Sequence, residues 1–158
     1  MFEGIREGIR LAKVRVELEI EIRNNGFRVL YYPNHRQILE QLSQLYPTFA
    51  EIYQIFQTSN AEGFTEYISH TVVVKTTTNA LYIAQDLAHE LAHVLVQDQE
   101  ETGKWHSPQF FRTVAEIFSR YGIPLGEDED ERNYDPEDGS RLLGRHYLPG
   151  ETGETHVY

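Results

Sequence analysis

Two histidines and a glutamate stand close together in the sequence, at His89, Glu90 and His93. On an α-helix, side chains four positions apart lie on the same face, so both imidazoles can reach one metal ion. Imidazole nitrogens bind zinc, and a carboxylate beside the metal can act as a general base. This spacing is typical of the helix that carries the site of a zinc-dependent peptidase. An ordinary amphipathic helix that contains the pattern by chance is the alternative interpretation.

The surrounding residues favour a helix. Asn79 is a suitable N-cap, and a run rich in Ala, Leu and Gln continues to about Asp98. In projection, the histidines and the glutamate share a polar face opposite an apolar face of Ala and Leu side chains. Asp86, one turn before His89, has two interpretations: a carboxylate that orients a ligand imidazole, or a solvated helix residue.

A hydrolytic zinc site has three protein ligands and leaves a fourth position for water. The best third candidate is His106, because it follows a loop and directly precedes a helix that Ser107 caps and Pro108 begins. Glu116, on that next helix, is predicted to face solvent. The remaining candidates are Asp98, Glu100, Glu101 and His70, whereas His35, His146 and His156 are interpreted as incidental.

The predicted site implies a reaction. Zinc would polarise a scissile carbonyl and activate a water molecule. Glu90 would take the proton of that water and deliver it to the leaving amine, a contribution typically worth about 10²- to 10⁴-fold. An oxyanion stabiliser is also expected, and Tyr82, Tyr134 and Tyr147 are the candidates.

Composition narrows the class of protein. A chain of 158 residues is predicted to form one domain with its own core, and the absence of cysteine excludes disulfides and a thiolate zinc site. The net charge of −11 argues against autonomous nucleic-acid binding, which needs clustered Lys and Arg. No long apolar run resembles a membrane span, so we expect a soluble, cytoplasmic protein.

The N-terminal segment has two competing patterns. Residues 2–11 are predicted to form a short helix and residues 12–23 a strand, because apolar and charged side chains alternate in the second range. A single helical stripe is the alternative, and it contains Ile5, Ile9, Ala12, Val16 and Ile20.

Further strands and helices are predicted between residues 27 and 121. We predict strands at 27–32 and within 71–78, and helices from His35 to Pro47, from Thr48 to about Gln57, and from Pro108 to about Tyr121. The strand within 71–78 leads directly into the predicted helix that contains His89, Glu90 and His93, which we call the HExxH helix after the spacing of these residues. It is either an edge strand that holds an extended peptide by strand addition or an ordinary core strand.

The C-terminal residues differ in composition from the rest. Residues 1–125 are predicted to form the domain, and residues 126–158, with 10 acidic against 3 basic side chains, an acidic tail. We expect the tail to be partly disordered or to clasp the domain. The tail would then cover the cleft of the predicted metal site or bind a basic protein partner.

One family resemblance stands out. The run His89-Glu90-Leu91-Ala92-His93, followed by Gly103-Lys104-Trp105-His106-Ser107-Pro108-Gln109-Phe110, resembles the SprT-like (Spartan-related) zinc metallopeptidases. The similar region covers about residues 70–121. The resemblance implies a zincin-like α+β domain, with a small, mainly antiparallel sheet packed on the HExxH helix and the following helix. It also implies a zinc endopeptidase of protein substrates, with His89, His93 and His106 as ligands and Glu90 as the catalytic acid/base.

Two other functions remain open. A metal-stabilised binding or regulatory module would keep the ligands without turnover, although an intact Glu90 argues against a purely structural site. A single-metal hydrolase acting on RNA is the second alternative, and the long interval between His93 and His106 disfavours it.

Overall fold

The computed structural model describes residues 2–96 and 108–124. These residues form an α+β arrangement, as predicted, with the elements in the following order: α1 (Phe2–Asn24), β1 (Arg28–Tyr32), α2 (Arg36–Leu45), α3 (Pro47–Gln57), β2 (Gly63–Glu66), β3 (Thr71–Lys75), α4 (Ala80–Leu95) and α5 (Pro108–Tyr121). The predicted acidic tail at 126–158 lies outside the described residues.

Helix α1 corrects the prediction of a strand at 12–23. Residues two apart are separated by about 200° on a helix, so an alternating apolar series divides between two opposite faces. One of these faces is buried and carries Leu11, Val14, Leu18 and Ile22, spaced by three or four residues. It packs on α4 and completes a large core, which decides in favour of the helix.

The sheet is mixed and has the order β1-β3-β2. Strand β1 pairs parallel to β3, with Val29 opposite Val72, while β2 pairs antiparallel to β3, with Thr65 opposite Val72. The prediction of a mainly antiparallel sheet is therefore wrong. Helices α2 and α3 lead into β2, which runs antiparallel to β1, and the turn after β2 then brings β3 parallel to β1. Strand β3 is central, so its interpretation as an edge strand is also wrong.

Helices cover both faces of this sheet. Side chains alternate along each strand, so Val72 and Val74 point to the layer of α1, α4 and α5, while Val73 points to α2 and α3. Tyr46 is the N-cap residue of α3, so the helix begins at Pro47, one residue before its predicted start at Thr48. Within residues 2–96 and 108–124, no helix combines the length and apolar character needed to cross a membrane.

Candidate metal centre

Helix α4 places the HExxH residues in the interior. Its N-terminus is capped as predicted, because Asn79 Oδ1 accepts a hydrogen bond of 3.1 Å from the backbone N–H of Tyr82. Only the first turn reaches solvent on the polar face, where Tyr82 is 39% exposed. His89, Glu90 and His93 are each 0% exposed. The polar face found by projection is thus a buried surface, covered by the sheet and by α5.

The two imidazoles contact each other and α5. Their ring centroids are 5.0 Å apart. The Phe110 ring, on the first turn of α5, lies 4.3 Å from the His93 ring in a stacked arrangement and 4.8 Å from the His89 ring. Burial lowers the pKa of His93 to about 3, so this imidazole is neutral at ordinary pH. The neutral imidazole is the form that binds metals.

Strand β2 fixes the carboxylate of Glu90. The Thr65 hydroxyl donates a hydrogen bond of 2.7 Å to Glu90 Oε1, and both side chains are fully buried. Two positions earlier on the same side of β2, Gly63 passes close to the other carboxylate oxygen. A Cβ at that position would lie 3.1 Å from Glu90 Oε2 and 2.7 Å from the carbonyl oxygen of Val73. Glycine is therefore required by the close approach of β2 to β3 and α4.

Thr65 and Gly63 were not among the residues predicted from sequence. The sequence pattern predicts no strand at Gly63–Glu66, which contains a single large apolar residue, Phe64. A signal was present in the following turn. The carboxylate of Glu66 accepts hydrogen bonds of 2.8 Å from the backbone N–H groups of Ile68 and Ser69, which closes a short connection to β3. An acidic residue just before a short polar turn and a β-branched strand is consistent with a hairpin.

The separation of the His89 and His93 rings is compatible with two ligands of one tetrahedral zinc ion. With Zn–N bonds of about 2.0–2.1 Å, two imidazoles on one such ion have ring centroids roughly 5 Å apart, and the observed separation is 5.0 Å. In the part of the chain that the structure describes, no three His, Cys, Asp or Glu side chains are grouped to hold a metal. A three-ligand site on His89 and His93 would need a ligand from outside the described residues. His106, Asp98, Glu100 and Glu101 lie outside the described residues, as do Tyr134, Tyr147, His146 and His156.

The other predicted residues occupy different places. Glu116 is exposed on α5, in agreement with its projection. His70 has a positive φ of 52° in the turn before β3, and its ring stacks on Phe27 with centroids 4.9 Å apart. It joins no described metal-holding group. His35 Nδ1 accepts a hydrogen bond of 2.8 Å from the backbone N–H of Tyr31, a local structural contact.

Asp86 is buried, which excludes one of its two interpretations. Its side chain is 0% exposed, one turn before His89 on α4, so the solvated alternative is wrong. Burial of a carboxylate is unfavourable unless it has polar partners. The role in orienting an imidazole remains a prediction.

Comparison with protein-family models, with curated proteins and with solved structures finds no match to this chain. The relationship to the SprT-like peptidases therefore remains a prediction from the two sequence segments that resemble them.

Proposed function

We propose that this protein is a zinc-dependent endopeptidase in which His89, His93 and His106 bind the metal and Glu90 is the general acid/base. The observation that carries the proposal is the arrangement on α4. Two buried imidazoles lie at the separation expected for one tetrahedral ion, and the glutamate next to the first is fixed by a hydrogen bond. We infer a cytoplasmic protein whose substrates are proteins or peptides.

Each residue has a role that its environment supports. Zinc at this site would supply a Lewis acid that polarises the scissile carbonyl and acidifies a water molecule. The hydrogen bond from Thr65 sets the orientation of the Glu90 carboxylate, which would take the proton of the attacking water and pass it to the leaving amine. Burial keeps His93 neutral and able to act as a ligand at physiological pH.

The position of Phe110 supports His106 as the third ligand. Phe110 packs against both imidazoles, so the first turn of α5 lies directly beside them. His106 precedes the first residue of α5 by two positions, and two residues of chain span at most about 7 Å. A connection of this length would allow His106 to reach the two imidazoles, which is why we prefer it to the acidic candidates earlier in the same segment.

A second candidate function has one observation in its favour. All three HExxH side chains are 0% exposed, whereas a peptidase must admit a substrate to its metal. Burial of this kind favours a metal-stabilised regulatory or binding module that does not turn over. The two functions differ in the role of Glu90, because a structural site needs no general base.

Zinc content and peptide cleavage separate these functions. We expect about one zinc per chain by elemental analysis in the wild type, little in His106→Ala, and unchanged zinc in the control His35→Ala. Glu90→Gln keeps an oxygen that accepts the Thr65 hydrogen bond, so it should fold and bind zinc. Its cleavage of a denatured protein should fall by about 10²-fold or more.

Each alternative result has a definite meaning. Zinc retained in folded His106→Ala would overturn the three-histidine site. Wild-type protein that binds zinc but cleaves no protein substrate, with Glu90→Gln equally stable, would establish the module. Cleavage of RNA that depends on both zinc and Glu90 would replace the peptidase with the nuclease.

A further inference from the structure

The two imidazoles of the candidate site occupy different parts of α4. His89 lies in the interior of the helix, whereas His93 lies in its last turn, which ends at Leu95. The carbonyl groups of a last turn have no partner within the helix, so helix ends fray unless other groups cap them. The separation of 5.0 Å between the two rings therefore depends on whether the last turn of α4 stays folded.

A tyrosine in the turn after β2 contacts this last turn. The hydroxyl of Tyr67 donates a hydrogen bond of 3.0 Å to the backbone carbonyl of His93. A donor at this position also suits the partial negative charge at the C-terminus of a helix. Tyr67 thus caps α4 from another element, and the residue that it caps is a candidate metal ligand.

The turn that carries Tyr67 is itself held in place. The carboxylate of Glu66 is buried and accepts hydrogen bonds of 2.8 Å from two backbone N–H groups of the turn. The Thr48 hydroxyl donates to the same carboxylate at 3.2 Å, which attaches the turn to α3. The Phe27 ring packs edge-on against the Tyr67 ring, with centroids 6.2 Å apart. Because these contacts already restrict the Tyr67 side chain, its hydrogen bond to α4 costs little further conformational entropy.

The same short stretch of chain contacts two residues of the candidate site. Thr65 donates to Glu90, and Tyr67, two positions later, donates to His93. Their targets are three positions apart on α4, or about 4.5 Å along the helix axis. Two residues of chain span at most about 7 Å, so the distances on the strand and on the helix match. One segment can therefore fix the carboxylate and the candidate ligand relative to each other.

We propose that Tyr67 is a positioning residue of the metal site. Its hydroxyl holds the last turn of α4, and with it the His93 imidazole, in the place from which the imidazole binds the ion. This inference rests on the proposed function, because it takes His93 as a ligand. A ligand that is already in place loses less freedom when the metal binds, so removal of the hydroxyl weakens metal binding.

Two tyrosine variants separate positioning from general stability. Tyr67→Phe removes the hydroxyl and keeps the ring that packs on Phe27. Tyr31→Phe is the matched control, because it also removes a hydrogen-bonded hydroxyl from this side of the sheet. The partners of that hydroxyl, Arg15 and Glu19, lie on α1 and not on α4. We expect both variants to fold, with similar small losses of stability in urea denaturation.

Amide hydrogen exchange of the full-length, metal-free protein gives the first readout. In Tyr67→Phe, the backbone amide protons of residues 94–96 should exchange several-fold faster than in the wild type. Those of residues 84–88, in the first half of α4, should change no more than they do in Tyr31→Phe. This difference would place the effect of the hydroxyl at the end of the helix.

Zinc affinity, measured by competition with a chelator, gives the second readout. Loss of the hydrogen bond should weaken zinc binding roughly two- to tenfold in Tyr67→Phe. Tyr31→Phe should bind zinc as the wild type does, because its hydroxyl does not contact α4.

Two results would overturn the inference and leave the proposed function intact. Exchange at residues 94–96 that is the same in Tyr67→Phe and Tyr31→Phe would show that the hydroxyl does not hold the end of α4. Zinc bound by Tyr67→Phe as tightly as by the wild type would show that the hydroxyl stabilises the helix without positioning a ligand. A wild type that binds no zinc would overturn both this inference and the proposed function.

Discussion

The two faces of the sheet are packed in different ways. Toward α2 and α3 the core is aromatic: Phe64 on β2 contacts the rings of Phe49, Tyr53 and Phe56, with centroids 5.4, 6.5 and 5.2 Å away. Toward α4 the interior also holds fully buried polar side chains, namely Asp86, His89, Glu90 and His93. One strand serves both faces, because Phe64 points to the aromatic side and Thr65 to the polar side.

The two faces therefore contribute differently: the aromatic face mainly stabilises the fold, and the α4 face carries the candidate site. Burying polar side chains is unfavourable even when hydrogen bonds compensate part of the loss, so the α4 face contributes less stability than its area suggests. The aromatic face has a smaller penalty, which comes from the buried hydroxyl of Tyr53. We infer that the packing of α2 and α3 on the face opposite α4 stabilises the sheet, so that β2 can hold Glu90 in a fixed position.

The largest expected effect comes from the aromatic face. Phe64→Ala removes a ring at the centre of that cluster and should lower the free energy of unfolding by about 3–5 kcal/mol, measured by urea denaturation. Phe64→Leu, which keeps most of the volume, should lose less than about 1.5 kcal/mol. Zinc content of the folded fraction should be unchanged in both. Loss of zinc from folded Phe64→Leu would show that the two faces are not independent.

A smaller effect is expected where the faces meet, at Thr65. Thr65→Val removes the hydrogen bond to a buried carboxylate and should lower the free energy of unfolding by about 1–3 kcal/mol. Because the bond orients Glu90, kcat for peptide cleavage should fall more than KM changes. Thr65→Ser keeps the hydroxyl and is the matched control. Equal loss of kcat in the serine and valine variants would show that packing matters here and the hydrogen bond does not.

The sequence predicted the parts of this architecture that rest on local signals. The Asn79 cap, the start of α5 at Pro108 and the apolar run of Val72–Val74 each specify an element through nearby residues. The nature of α1 could not be settled in this way, since its alternating series suits a strand or a helix with two apolar faces. Only packing on α4, which is distant in sequence, decides between them.

The candidate site likewise contains residues that a local sequence pattern predicts and residues that only tertiary contacts bring to it. His89, Glu90 and His93 follow from a five-residue motif, and the structure brings them together on α4. Thr65 could not be found, because it reaches Glu90 across 25 positions of sequence from a strand with weak local pattern. Burial of the site depends on tertiary contacts as well, so helical projection could not decide between the two interpretations of Asp86.

The smallest expected effect concerns a polar group at the margin of the α4 face. The Tyr31 hydroxyl donates to Glu19 and accepts a hydrogen bond of 3.2 Å from Arg15, joining β1 to α1. Tyr31→Phe should lower the free energy of unfolding by about 1 kcal/mol at neutral pH. Burial, and then the hydrogen bond to Glu19, raise the pKa of Tyr31 above its ordinary value.

The pH dependence gives this last change a distinctive signature. Above pH ~10 the phenol ionises in the unfolded chain but stays protonated in the folded protein, so its contribution is present below that pH and lost as the pH rises. Denaturant midpoints of the wild type should therefore fall more steeply above pH ~10 than those of Tyr31→Phe. Parallel curves would place the hydroxyl in contact with water. The polar character of the α4 face would then be confined to the HExxH residues and Asp86.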